Sequence, residues 1–232
     1  MKRLGIVTGM QFEADILAHE IAQASEPAAI TVACAGPSYR SARRTADRLL
    51  DEGCEALLSF GVAGALLEGL KPGTLLLAGN VSHWGETIDV DRGWMARLRL
   101  GLGQQKFPVE AGNLAHSDPP AATPSDKRSL HIQSQAFGVD MESFAVAEAA
   151  QARSVPFLTL RVIADTSNLM LPLAALQAMN PDGTVSRSRA LATLAIRPWE
   201  VGDLVKLARQ TAKATQTLRH LAALGVPRLF FL

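Results

Sequence analysis

Short apolar runs that each stop at glycine, separated by stretches with helical spacing, constrain this chain more than any other feature. Leu4 to Thr8 reads as a buried strand ended by Gly9. A helix follows from about Gln11 to Ala24, with Ile16, Leu17 and Ile21 on one face. Ile30 to Ala35 is a second strand, ended by Gly36-Pro37. Ser38 or Ser41 caps the next helix, which turns Ala42, Ala46 and Leu49-Leu50 inward and runs to about Glu52, before Gly53. Ala56 to Phe60 is a third strand ending in the turn Gly61-Val62-Ala63-Gly64, and Gly73 to Ala78 a fourth. Strands alternating with helices predict an α/β fold, with a mixed, mostly parallel central sheet flanked by helices.

The stretch from Ser82 to Gln135 is less regular, with Trp84, Trp94, His116 and Pro119-Pro120 among polar residues. It predicts loops and peripheral strands, and loops set on a rigid sheet often form sites. A small apolar helix carrying Ala145, Val146, Ala149, Ala150 and Ala152 then leads to Pro156 and a last central strand, Phe157 to Ile163. After Leu169-Met170-Leu171-Pro172-Leu173 comes a polar turn, Asn180-Pro181-Asp182-Gly183. Glu200 to Leu224 is a long closing helix with Leu204, Leu207, Ala208, Leu218 and Leu221 at near-helical spacing. A length of 232 residues with 48% hydrophobic content suits one domain, 1–232, with 169–232 as its variable part.

A net charge of +1 and scattered basic residues give no nucleic-acid surface. Cys34 and Cys54 lack metal-ligand spacing and are too few for a disulfide framework, so both read as core thiols in a reducing compartment. The start superficially resembles a signal peptide, but Gln11, Glu13 and Asp15 cut its apolar run short. No stretch is long and apolar enough to span a bilayer, which makes the cytoplasm the default location.

Four constellations offer chemistry. Glu13 lies in the first helical turn after Gly9-Met10, where glycine admits a ligand and free N–H groups face it. Taken alone, Glu13 is better read as complementing the helix dipole. Gly61-Val62-Ala63-Gly64 could hold an anion or a sugar on backbone N–H groups, or be only a tight turn. Asp140 and Glu142 stand two apart near a helix start. A carboxylate there can accept from paired sugar hydroxyls, while Asp140 serves equally as a helix-terminal acid or a partner for Arg161. Asp165 follows an apolar strand directly, either as a turn cap or as a carboxyl tuned by burial to donate a proton.

In order and context these segments resemble the nucleoside phosphorylase and nucleosidase superfamily, in particular its methylthioadenosine/S-adenosylhomocysteine nucleosidase branch. Gly5-Ile6-Val7-Thr8-Gly9-Met10 through Glu13, Ala35-Gly36-Pro37, Phe60 to Gly64 and Lys71-Pro72-Gly73-Thr74 share the resemblance. The pair Asp140-Met141-Glu142 and Arg161-Val162-Ile163-Ala164-Asp165 is its most specific part. The resemblance implies that Glu142 binds the ribose hydroxyls with Met141 packed beneath the sugar. It implies that Asp165 protonates N7 of a purine and that Glu13 orients and deprotonates water. Gly9, Met10, Ala63 and Gly64 complete the implied substrate site. Bacterial phosphorylases of the superfamily place an arginine for phosphate where this chain has Glu13, and a glutamate would repel phosphate.

Val62-Ala63 and Ala164 stand where the family often has serine, so hydroxyl contacts are lost there. Beyond Asn168, Leu169-Met170-Leu171-Pro172-Leu173, the Asn180 to Gly183 turn and Leu194-Ala195-Ile196-Arg197-Pro198-Trp199 resemble the hopanoid-biosynthesis subgroup, which removes adenine from adenosylhopane to leave ribosylhopane. An apolar run beside the site suits a large apolar 5′ substituent, or merely begins the closing helix. The resemblance thus implies adenine release by water from a small-molecule or lipid-linked nucleoside, with methylthioadenosine/S-adenosylhomocysteine cleavage and phosphorolysis as alternatives. It implies no metal or organic cofactor, peripheral membrane contact if the substrate is a lipid, and a homodimer. A catalytically silent nucleoside-binding or scaffold protein is the rival of another class, but binding alone needs neither Glu13 nor Asp165.

Overall fold

The structure is a computed structural model that describes residues 3–23, 29–103 and 107–225. β1 (Leu4–Thr8), α1 (Gln11–Ile21), β2 (Ile30–Cys34), α2 (Tyr39–Asp51) and β3 (Ala56–Ala65) follow one another. β1 pairs in parallel with both β2 and β3, as helical crossovers require. Leu17 of α1 and Ala42, Ala46 and Leu49 of α2 are wholly buried in the core. Ser38, not Ser41, caps α2, its hydroxyl accepting the Ser41 amide at 3.3 Å. The expected extension of α1 to Ala24 lies outside the described residues.

The sheet continues through β4 (Leu75–His83), β5 (Glu86–Asp89), β6 (Val109–His116), β7 (Gly138–Asp140) and β8 (Phe157–Asp165). Five of its eight pairings are parallel, so the sheet is mixed and mostly parallel as expected. β3, β8, β4, β6 and β7 pair in turn, and β7 returns to β3 to close the ring. Every residue of β8 is buried. α5 (Ser143–Ala152) packs on α2, β3 and β8, and its alanines allow the close approach.

Gly61 to Gly64 is no strand-to-helix turn, because β3 runs on through it beside β8, with a bulge at Ala63/Gly64. Glycine is needed at 61 because a Cβ there would lie 2.5 Å from Glu13 Oε1 and 2.6 Å from Arg161 Nη1. The middle region is also more regular than its composition suggests. It holds α3 (Arg92–Leu102) and α4 (Pro124–Ser134), and β6 is an inner strand. Asp91 caps α3 by accepting the Trp94 amide at 2.7 Å, and Trp94 is wholly buried. α4 buries only Lys127, so it shows no apolar periodicity to read.

The C-terminal part holds α6 (Leu173–Ala178), α7 (Arg187–Ile196), a 3-10 turn at Pro198–Glu200 and α8 (Val201–Leu224). The closing helix exists, but its buried face is Ala214, Thr217, Leu218, Leu221 and Ala222. Leu204 and Leu207 are half-buried and Ala208 is exposed, so the first half of the expected stripe is not core. Cys54 is a core thiol, whereas Cys34 is half-buried. No described helix is long and apolar enough to cross a membrane.

Candidate active site

β1, β3 and β8 run parallel, so their carboxyl ends meet at one edge, where open α/β sheets bind ligands. Gly9, Met10, Glu13, Ala63, Gly64, Met141, Glu142 and Asp165 all line a single cavity of about 690 Å³, its open mouth included. The structure therefore brings together every residue singled out from the sequence for the site.

Glu13 is held from both sides. Its Oε2 accepts the Gly9 and Met10 amides at 3.0 and 2.9 Å, and its Oε1 accepts the Val62 amide at 2.8 Å. It caps α1, as the dipole reading requires, and it also reaches across to β3. Burial pushes its carboxyl above the ordinary value, against the pull of Arg161 and the three amides.

Glu142 stands at the start of α5, with its carboxyl filling the space over Gly9. A Cβ on Gly9 would lie 2.5 Å from Glu142 Oε1. Burial, with the nearby Asp140 and Glu13 adding to it, pushes Glu142 up to about 8 despite Arg161. Arg161 is the wholly buried cation of this end. Its Nη2 lies 2.6 Å from Asp140 Oδ2 and 3.3 Å from Glu142 Oε2. It also donates to Ser143 Oγ at 3.1 Å, Ser59 Oγ at 2.6 Å and the Val62 carbonyl at 3.3 Å. Both readings of Asp140 hold: it pairs with Arg161 and, at the start of α5, accepts the Ser143 amide and hydroxyl. One guanidinium faces three carboxyls, so the cluster is acidic in excess, and Glu142 takes up a proton near neutrality.

Asp165 ends β8, in register with Gly64 across the bulge. Its Oδ2 accepts a hydrogen bond from the ammonium of Lys127. Burial raises the Asp165 carboxyl, while the charge and hydrogen bond of Lys127 pull it down. Sequence reading missed Lys127. The capping pattern Thr123-Pro124-Ser125-Asp126 marks the start of its helix, with Asp126 accepting the Thr123 amide at 3.0 Å. Nothing in the sequence shows that the next residue turns inward.

Of the apolar run after Asn168, Leu171 reaches the cavity, Leu169 is buried and Met170 is exposed. Met179 lines the cavity as well. The Asn180-Pro181-Asp182-Gly183 turn docks beside the site, where the Gln11 amide donates to the Gly183 carbonyl at 3.0 Å. Among the described residues no cluster of His, Cys, Asp and Glu is arranged to hold a metal ion.

The phosphorylase superfamily model matches residues 3–184. The chain belongs to the phosphorylase superfamily. No curated protein matches this superfamily member. Among solved structures, it is similar to the 5′-methylthioadenosine/S-adenosylhomocysteine nucleosidase of Neisseria meningitidis in complex with methylthio-immucillin-A. That likeness has 14% identity and a TM-score of 0.74, over 97% of this chain and 98% of the other. The corresponding nucleosidase of Colwellia psychrerythraea 34H, in complex with adenine, shares 16% identity at a TM-score of 0.71, over 97% and 95%. The native futalosine hydrolase of Helicobacter pylori strain 26695 shares 20% identity at a TM-score of 0.66, over 94% and 97%. At such identities the likeness is one of fold, and it agrees with the single-domain α/β architecture.

Proposed function

We propose that this chain hydrolyses the N-glycosidic bond of an adenosyl nucleoside and releases adenine, with water as the nucleophile. The observation that carries this reading is Glu13, a buried carboxyl fixed by three backbone amides inside the cavity that Glu142 and Asp165 also line. Glu142 holds the ribose hydroxyls, and its proton lets one oxygen donate while the other accepts. Met141 packs beneath the sugar. Asp165 gives its proton to N7, so that the base leaves neutral. Glu13 takes the proton of the attacking water, and burial, by raising its carboxyl, makes it a stronger base than an exposed glutamate. The oxocarbenium-like transition state carries positive charge, which the Glu13 carboxylate stabilises. Phosphate in the place of water would meet the Glu13 carboxylate at close range.

The preferred substrate is adenosylhopane, leaving ribosylhopane. Supporting it, Met10, Pro37, Ala121, Leu171 and Met179 give the cavity an apolar lining. Exposed Leu191, Ile196 and Trp199 in the C-terminal part support peripheral contact with a membrane that holds such a lipid. Cleavage of methylthioadenosine or S-adenosylhomocysteine is the second reading, favoured by the extent of the fold shared with the Neisseria and Colwellia nucleosidases. Phosphorolysis is third. The assembly proposed is a homodimer in the cytoplasm, and the chemistry needs no cofactor.

Adenine release from adenosylhopane, methylthioadenosine, S-adenosylhomocysteine and adenosine tests the reading. The highest kcat/KM is expected for adenosylhopane. Preference for methylthioadenosine would install the second reading, and no adenine from any of the four would end both.

A further inference from the structure

Lys127 is the one described lysine buried in the core, and the reaction outlined above gives it no task. It is 1% exposed, on a helix that buries nothing else. Its Nζ meets Asp165 Oδ2, the Thr166 carbonyl at 2.9 Å and the Leu169 carbonyl at 3.1 Å. Three acceptors match the three N–H donors of an ammonium. Taking an ammonium out of water is strongly disfavoured unless it is paired and fully bonded. A staple between α4 and the loop after β8 would need only neutral donors. The charge is aimed at the carboxyl that faces the cavity.

We propose that Lys127 is the positioning residue of the acid: it anchors Asp165 through Oδ2, leaves Oδ1 for the base, and stabilises the carboxylate formed when Asp165 gives up its proton. The proposal rests on the nucleosidase reading. In that reaction the Asp165 O–H bond breaks and its proton goes to N7. The bond from C1′ to the base breaks with its electron pair on the base. Water forms the new bond to C1′ and passes a proton to Glu13. Solvent then restores a proton to Asp165 and removes one from Glu13. Lys127 takes no part in these transfers.

The surroundings isolate this pair from the other ionisable groups. Asp165 pairs across the bulge with Gly64 of β3, which carries no charge, and meets Lys127 of α4. Gln210 of α8 meets the adjoining Thr166 amide as a neutral acceptor. Glu13, Asp140, Glu142 and Arg161 gather near Gly9 and Gly61 instead. Gly61 and Gly64 stand three residue steps apart along β3, roughly 10 Å. Burial raises the Asp165 carboxyl and Lys127 alone opposes it, apart from the sugar-binding cluster, where the pull on Glu142 comes from Arg161.

The test is Lys127→Met, assayed by adenine release across pH and compared in wild-type and Asp165→Asn backgrounds. Removal of the cation is expected to lower kcat by roughly 10²-fold with KM little changed. Asp165 then holds its proton to higher pH, so the alkaline limb of kcat/KM moves up by about one unit or more. In the Asp165→Asn background, Lys127→Met is expected to change kcat little. That comparison also separates the limb from the titration of Glu142. Lys127→Arg keeps the cation and is expected to keep the limb in place, and it carries the test if the Met variant fails to fold. An unmoved limb in a folded Met variant, a limb displaced equally by Arg, or an equal loss in both backgrounds would overturn the proposal while wild-type turnover preserved the reaction. A wild-type protein that releases no adenine would remove the reaction itself, and this role with it.

Discussion

The Val62 amide donates to Glu13 Oε1 at 2.8 Å, joining the first helix to the third strand across 49 residues of chain. This bond moves Glu13 from the helix surface, where a first-turn glutamate ordinarily sits, into the cavity wall. It also fixes the carboxyl in one orientation, so that a water held against it would be aimed rather than merely bound.

Glu13→Gln is accordingly expected to lower kcat by about 10²- to 10⁴-fold, the range for a positioned base. Substrate KM should stay within a few-fold, because Gln preserves the shape and most of the hydrogen bonds. Steady-state adenine release measures both, and unaltered turnover would take Glu13 out of the mechanism.

Gly9→Ala places a methyl 2.5 Å from Glu142 Oε1. The carboxyl must move away from the ribose position, at an overpacking cost of about 1–3 kcal/mol. The expected result is a KM raised about tenfold or more, with a modest loss of melting temperature. A variant with wild-type KM would show that Glu142 does not hold the sugar where this geometry puts it.

Glu142 also gives the fold a pH dependence. Its carboxyl is raised from the ordinary 4.5 to about 8, so the folded protein keeps a proton that the unfolded chain releases. This stabilisation is complete below pH 4.5 and is lost as the pH rises through about 8. The loss runs at up to about 1.4 kcal/mol per pH unit. Denaturant melts of Glu142→Gln between pH 5 and pH 8 should show a shallower decline than the wild type. Glu13 and Asp165, raised in the same direction, keep the slope from vanishing. Identical slopes would show that Glu142 is ionised throughout.

The carboxyl groups of this site were legible because each sits where a sequence pattern changes. Glu13 opens a helix after glycine, Glu142 precedes an alanine-rich helix, and Asp165 ends an apolar strand. The sheet was legible for the same reason, since β1, β2 and β8 are apolar runs with clear ends. Lys127 was not legible, because α4 is held by its caps and by one buried ammonium rather than by an apolar stripe. The glycines of β3 were misread as a turn. They are there because Glu13 and Arg161 pack against the strand at Gly61, a contact between segments far apart in sequence.

The choice of water over phosphate rests on Glu13 and is tested most directly by the sugar product. Enzyme and an adenosyl substrate are incubated with and without inorganic phosphate, and the product is identified by mass spectrometry. Turnover unaffected by phosphate, with a free sugar hydroxyl at C1′ in both samples, is the predicted result. Formation of a ribose 1-phosphate would contradict it.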